Sequence, residues 1–145
     1  MFENSMAMTV LAASDLERAK AFWHDVFGLD PVQTDTGGGA VYVIGSAAVL
    51  VYESEFAGTN KATAFSIMTD DLDRDMAALR EKGVVFHDYD LPELKTVDGV
   101  ARMGDDEAGE RGAWFDDSEG NIIALATPMG VSLDEARAML TGSTA

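Results

Sequence analysis

Two stretches of the chain share one hydrophobic grammar. In "SDLERAKAFWHDVFGL", Ser14 to Leu29, apolar residues fall at Leu16, Ala19, Trp23 and Val26, the spacing that lines one helix face. Ser14 and Glu17 have the spacing of a capping box, and Gly28 supplies a C-terminal stop. "DDLDRDMAALREKGVV", Asp70 to Val85, repeats the plan. Asp70 or Asp71 caps, Leu72, Met76 and Leu79 form the face, and Gly83 ends the helix. Strand-like runs flank both helices. "MAMTVLAA" precedes the first, and "PVQTDT", "AVYVIG" and "AAVLVYE" follow it, with a hairpin turn expected over Thr36 to Val41. "ATAFSIMT" precedes the second, and "VVFHDYD", a long polar stretch, "RGAWFDD" and "GNIIALATP" follow. Each half reads strand–helix–strand–strand–strand. The expected fold class is therefore α+β, a single domain 1–145 of two βαβββ modules, about 6–56 and 62–128. A further capping box, Ser132 to Glu135, opens a C-terminal helix over about 132–141.

Composition narrows the function. The 145 residues are 47% hydrophobic, enough for a core, and contain no cysteine, which excludes disulfides, thiolate metal sites and cysteine nucleophiles. The opening "MFENSMAMTV" has neither a basic segment nor a long apolar run, so a cytoplasmic protein without a membrane span is expected. A net charge of −16, from 26 acidic and 10 basic residues, repels nucleic acid and anionic membranes and favours cationic small molecules.

The helix phrases, together with Asp117 to Asn121 in "AWFDDSEGNIIALATP", resemble the vicinal oxygen chelate superfamily over roughly Met6 to Pro128. That group includes glyoxalase I, extradiol dioxygenases, fosfomycin-resistance proteins and bleomycin-resistance proteins. The resemblance implies a curled, cup-shaped mixed sheet with its helices outside, commonly completed in a homodimer. It also implies where metal-using members place their ligands. The first stands seven residues before the aspartate that opens the helix, which is Met8 from Asp15 and Ala64 from Asp71. Another follows "G-N-x-x", which is Ala124, and the last lies near Val49 to Val51 on a strand that carries no strong donor for a hard cation. No metal and no cofactor are therefore expected, and the metal-free, bleomycin-resistance-like branch fits best.

Other chemistry is sparse. His24 reads as a solvent-facing helix residue, and no histidine spacing suits a metal. Acidic pairs such as Asp105–Asp106 and Asp116–Asp117 are expected from the composition, and "DDSEGN" reads as a turn rather than a calcium loop. His87, Tyr89 and Glu110 could act as acid or base if they meet. Strand alternation and the superfamily parity assign the pocket to Met8, Val10, Ala64, Ser66, Met68 and Ala124. Val49, Val51, Tyr42, Met103 and Trp114 complete it, with Tyr42 and Trp114 able to stack on a planar ligand. The long stretch Asp90 to Arg111 holds enough apolar residues to fold down as a lid. The expected protein is a homodimer that binds a small, partly apolar molecule, cationic or planar aromatic, without metal, sequestering a drug or metabolite. The alternative is a metal-free lyase- or isomerase-type enzyme using His87, Tyr89 or Glu110. A third reading, an interaction module, expects a filled cup.

Overall fold

Asp15, not Ser14, caps the first helix, α1 (Leu16–Phe27), by accepting from the Arg18 amide at 3.0 Å. The structure is a computed structural model that describes residues 4–34, 37–104 and 109–142. In it Ser14 donates its amide and hydroxyl to Glu119, at 2.8 and 3.0 Å. Glu17 is left to pair with Lys20. The remainder of the helix follows the spacing: Leu16, Ala19 and Trp23 are buried, and Gly28 turns the chain with φ 67°.

The chain divides into two compact units. The first comprises Met1–Phe65 and Asp116–Ile122. Its strands β1 (Thr9–Ala13), β2 (Gln33–Thr34), β3 (Gly39–Ile44) and β4 (Ala47–Glu53) form a sheet in the order β1-β4-β3-β2. β1 runs parallel to β4, with Val10 opposite Leu50, and β3 runs antiparallel to both of its neighbours. Alternation sends Leu11, Ala13, Ala40, Tyr42, Val49 and Val51 to the face that α1 covers, and all are buried. Trp23 stacks on Tyr42 with ring centroids 4.3 Å apart. The opposite face, with Met8, Val10, Val43 and Tyr52, is exposed.

Burial leaves the Tyr42 hydroxyl without a hydrogen-bond partner among the described residues. An unpaired buried hydroxyl costs about 1–3 kcal/mol. Tyr42→Phe is therefore expected to raise the melting temperature, and a lower value in a thermal melt would contradict this placement.

The second unit comprises Ser66–Phe115 and Ile123–Ala145. Its helix α2 (Leu72–Glu81) is capped by Asp71, which accepts from the Arg74 amide at 2.9 Å, and buries Leu72 and Met76. The second sheet has the order β5-β10-β9-β8-β7-β6. Its strands are β5 (Thr63–Met68), β6 (Asp90–Leu91), β7 (Leu94–Val97), β8 (Val100–Met103), β9 (Glu110–Asp116) and β10 (Ile122–Ala126). The stretch expected to be a lid is thus mostly sheet. Asp98 and Gly99, with φ 54° and 81°, make the two-residue turn that joins β7 to β8, and strand pairing outcompetes an irregular cover. Residues 105–108, including the Asp105–Asp106 pair, lie outside the described residues, as does Thr36 at the start of the expected hairpin turn. The C-terminal helix α3 (Leu133–Thr141) carries the complete Ser132–Glu135 capping box. The architecture is the α+β class that the pattern predicts, and among the described residues no helix is long and apolar enough to cross a membrane.

Candidate functional site

The densest polar cluster is structural. In the turn that "DDSEGN" predicts, Asp117 accepts from the amides of Glu119 and Asn121 at 2.9 and 2.8 Å. The Asn121 side-chain amide donates to Asp117 and to the Ala12 carbonyl, at 2.8 and 2.9 Å. Glu119, its side chain wholly buried, accepts from Ser14, from the Asp15 amide and from Arg18. Burial opposes its charge, but the Arg18 guanidinium, the Asp15 amide and Ser14 outweigh it and bring its pKa down to about 2. Burial pushes the Asp117 carboxyl up, against the hydrogen bonds it accepts. Glu119 is committed to the start of α1 and Asp117 to its own turn, whose Asn121 holds β1, so both carboxylates serve the fold.

In the first unit the structure splits the expected pocket set. Met8 and Val10 lie on the exposed side, as the parity of β1 predicts. Tyr42, Val49 and Val51 do not: all are at most 1% exposed and belong to the core beneath α1. The parallel register places Leu50 beside Val10 and Tyr52 beside Ala12, so these two carry β4 to the open face instead. Ala64 is half-buried and packs against the same core. His24 is exposed beside Asp30, at 2.9 Å.

The second unit brings three sequence-selected residues together. The His87 amide donates to the Trp114 carbonyl at 2.7 Å. The His87 ring stacks on Tyr89 with centroids 5.7 Å apart, and Tyr89 meets Trp114 edge-on at 5.8 Å. Met103 faces Glu110 across the β8–β9 ladder. Between them, Gly112 lets the Trp114 ring and the Met103 methyl close down on the strand, since a Cβ there would stand 3.3 Å from each. The result is an aromatic and thioether platform that can stack on a planar group. Glycine at 112 was the missed residue, and its only sequence signal is its place between Arg111 and Ala113 in a strand. Ser66 and Met68 are exposed on β5, whereas Ala124 is 6% exposed on a strand flanked by β5 and β9 and offers no open wall.

A divalent metal of the kind used in the superfamily that the sequence resembles does not fit the donor set. Met8, Ala64 and Ala124 offer thioether and methyl groups, and the open face of β4 offers Leu50 and Tyr52. Among the described residues no three His, Asp or Glu side chains converge as a metal site would require.

A strand, a helix and a run of further strands come twice along the chain, building one sheet of four strands and one of six, and this defines an α+β protein. The chain belongs to the glyoxalase/bleomycin resistance protein/dioxygenase superfamily, whose profile matches residues 5–125. Solved structures agree on the fold. A lactoylglutathione lyase from Agrobacterium tumefaciens is 19% identical, with a TM-score of 0.59 over 85% of this chain and 92% of its own. A glyoxalase/bleomycin resistance protein from Catenulispora acidiphila is 20% identical, with a TM-score of 0.58 over 84% and 96%. The fosfomycin resistance protein FosX from Listeria monocytogenes is 13% identical, with a TM-score of 0.62 over 90% and 96%. No curated protein matches the chain.

Proposed function

We propose that this protein binds a small, partly apolar molecule without a metal ion, in the manner of a sequestering bleomycin-resistance-like protein, in the cytoplasm and as a homodimer. One observation carries the reading: the superfamily's ligand positions hold Met8, Ala64 and Ala124, while Trp114, Tyr89 and Met103 offer a surface for a planar group. The charge of −16 favours a cationic ligand. A second reading, a metal-free acid–base enzyme, is supported by the stacking of His87 on Tyr89.

The test uses the chain's two tryptophans, of which Trp23 is buried and Trp114 half-buried. Planar aromatic cations are expected to quench the fluorescence and to raise stability by about 2.7 kcal/mol at a hundredfold excess over Kd. In Trp114→Phe the quenching should vanish while the fold survives. EDTA should change neither result, and purified protein should contain no stoichiometric zinc, iron, nickel or manganese. A near-stoichiometric metal, or quenching retained in Trp114→Phe, would sink the reading. Turnover of a bound compound that is lost in His87→Ala would favour the enzyme.

A further inference from the structure

Four of the chain's ten basic residues line one groove. It is a cavity of about 550 Å³ in the second unit, on the α2 side of the sheet, within the size range of small-molecule sites. Arg102 on β8 and Arg111 on β9 stand directly opposite each other in the ladder. Like charges placed so are destabilising unless something neutralises them. Arg111 is neutralised by Asp73, which takes two hydrogen bonds from it at 2.9 and 2.6 Å. Arg102 has no ion pair among the described residues. Its charge is nonetheless felt, because it adds to the Arg111 hydrogen bond and charge in holding the Asp73 carboxyl below its ordinary range.

Two further cations stand at the groove. Lys95 shares a strand face with Val97 on β7, and its ion pair among the described residues is an exposed one with Asp90 at 3.0 Å. Arg80 reaches from α2 over the Phe86 ring and donates to the Asp98 carbonyl at 2.7 Å, which fixes its guanidinium without cancelling its charge. Against these four, the lining has two carboxylates, Asp73 and Asp98, and Asp73 is committed to Arg111. Met76, Val97 and Val100 supply an apolar wall beside them. A local excess of positive charge in a chain of net −16 concentrates the few cations where an anion would be held.

We infer that this groove is an anion site, taking a small organic phosphate or carboxylate whose charged head meets Arg102 and whose apolar body lies against Val97 and Val100. Guanidinium groups hold both head groups by paired hydrogen bonds, so the two share one recognition chemistry. The site is independent of the aromatic platform and of the function proposed for it.

Titration calorimetry with phenyl phosphate, benzoate, inorganic phosphate and benzylamine tests the inference on the intact protein. Phenyl phosphate or benzoate should bind with saturation, benzylamine should not bind at this site, and inorganic phosphate should bind at least tenfold more weakly than phenyl phosphate. Arg102→Gln, at an exposed position, should weaken the organic anions at least tenfold. Val97→Glu, which sets a carboxylate on the same wall at a residue 72% exposed, should do the same through a second, independent change. Amide chemical shifts should move around β7, β8 and the end of α2. Absence of saturable binding at millimolar probe, binding unaltered in both variants, or shifts confined to other regions would overturn the site. Equal affinity for inorganic phosphate would overturn the apolar wall's role.

Discussion

Glu119→Gln should destabilise the protein by about 3 kcal/mol at neutral pH, and most of that loss should disappear in acid. The carboxylate is buried and accepts from two backbone amides, two hydroxyls and a guanidinium. Glutamine has one acceptor oxygen in place of two, and its amide group would point hydrogen at donors. Glu119 titrates at about 2 in the fold against 4.5 in an ordinary glutamate. Its contribution is therefore complete above pH 5 and is lost as the pH falls toward 2. Asp117 acts in the opposite direction, because burial raises its pKa, but both proteins contain it and the comparison removes it. Urea unfolding of both proteins between pH 7 and 2.5 measures the effect. Wild type and variant should converge in acid; parallel curves over that range would remove Glu119 as the cause.

A comparable loss, about 2–5 kcal/mol, is expected from Gly58→Ala. Gly58 has φ 70°, which an L-residue adopts at a cost of about 1–2 kcal/mol. A Cβ there would also stand 2.9 Å from the Glu119 carbonyl oxygen, a backbone atom that can only yield by displacing the turn. Overpacking of that kind adds about 1–3 kcal/mol. Gly45→Ala is the control: its φ is 57° and a Cβ would meet nothing within 4 Å. Gly45→Ala should show the conformational part alone. Equal shifts in the two unfolding midpoints would remove the close approach as a cause.

The elements that the sequence made legible are those set by local periodicity. Leu16, Ala19 and Trp23 announce their helix face without help from the rest of the chain, as do Leu72 and Met76. The capping of α1 is illegible because Ser14 is claimed by a carboxylate far along the chain, and a three-residue spacing contains no sign of that. The face taken by Val49 and Val51 is illegible for a related reason. Alternation gives two faces to a strand, but only the parallel pairing with β1 decides that Leu50 joins Val10. The hairpin in the stretch expected to be a lid is legible: Asp98–Gly99 between Thr96–Val97 and Val100 is a turn signal, and it outweighs the length of the connection. The groove cations were illegible, since Arg80, Lys95, Arg102 and Arg111 have no common period and meet only through the sheet register.

The first unit is discontinuous: residues 116–122 complete it, and Glu119 holds Ser14 across a separation of 105 residues. During synthesis, therefore, the amides at the start of α1 must wait for nearly the whole chain before their acceptor is made. Closing so long a loop is slow but adds little entropy cost per residue, because that cost grows only with the logarithm of length. The early strands, with Met8, Val10 and Tyr52 uncovered, are exposed to wrong partners throughout that interval. A chain cut after β5 would retain the Trp23 core yet lack the anchor of its first helix. The first half of this protein is thus incomplete without that turn, and recombination that exchanged it alone would have to bring a compatible seven-residue turn with it.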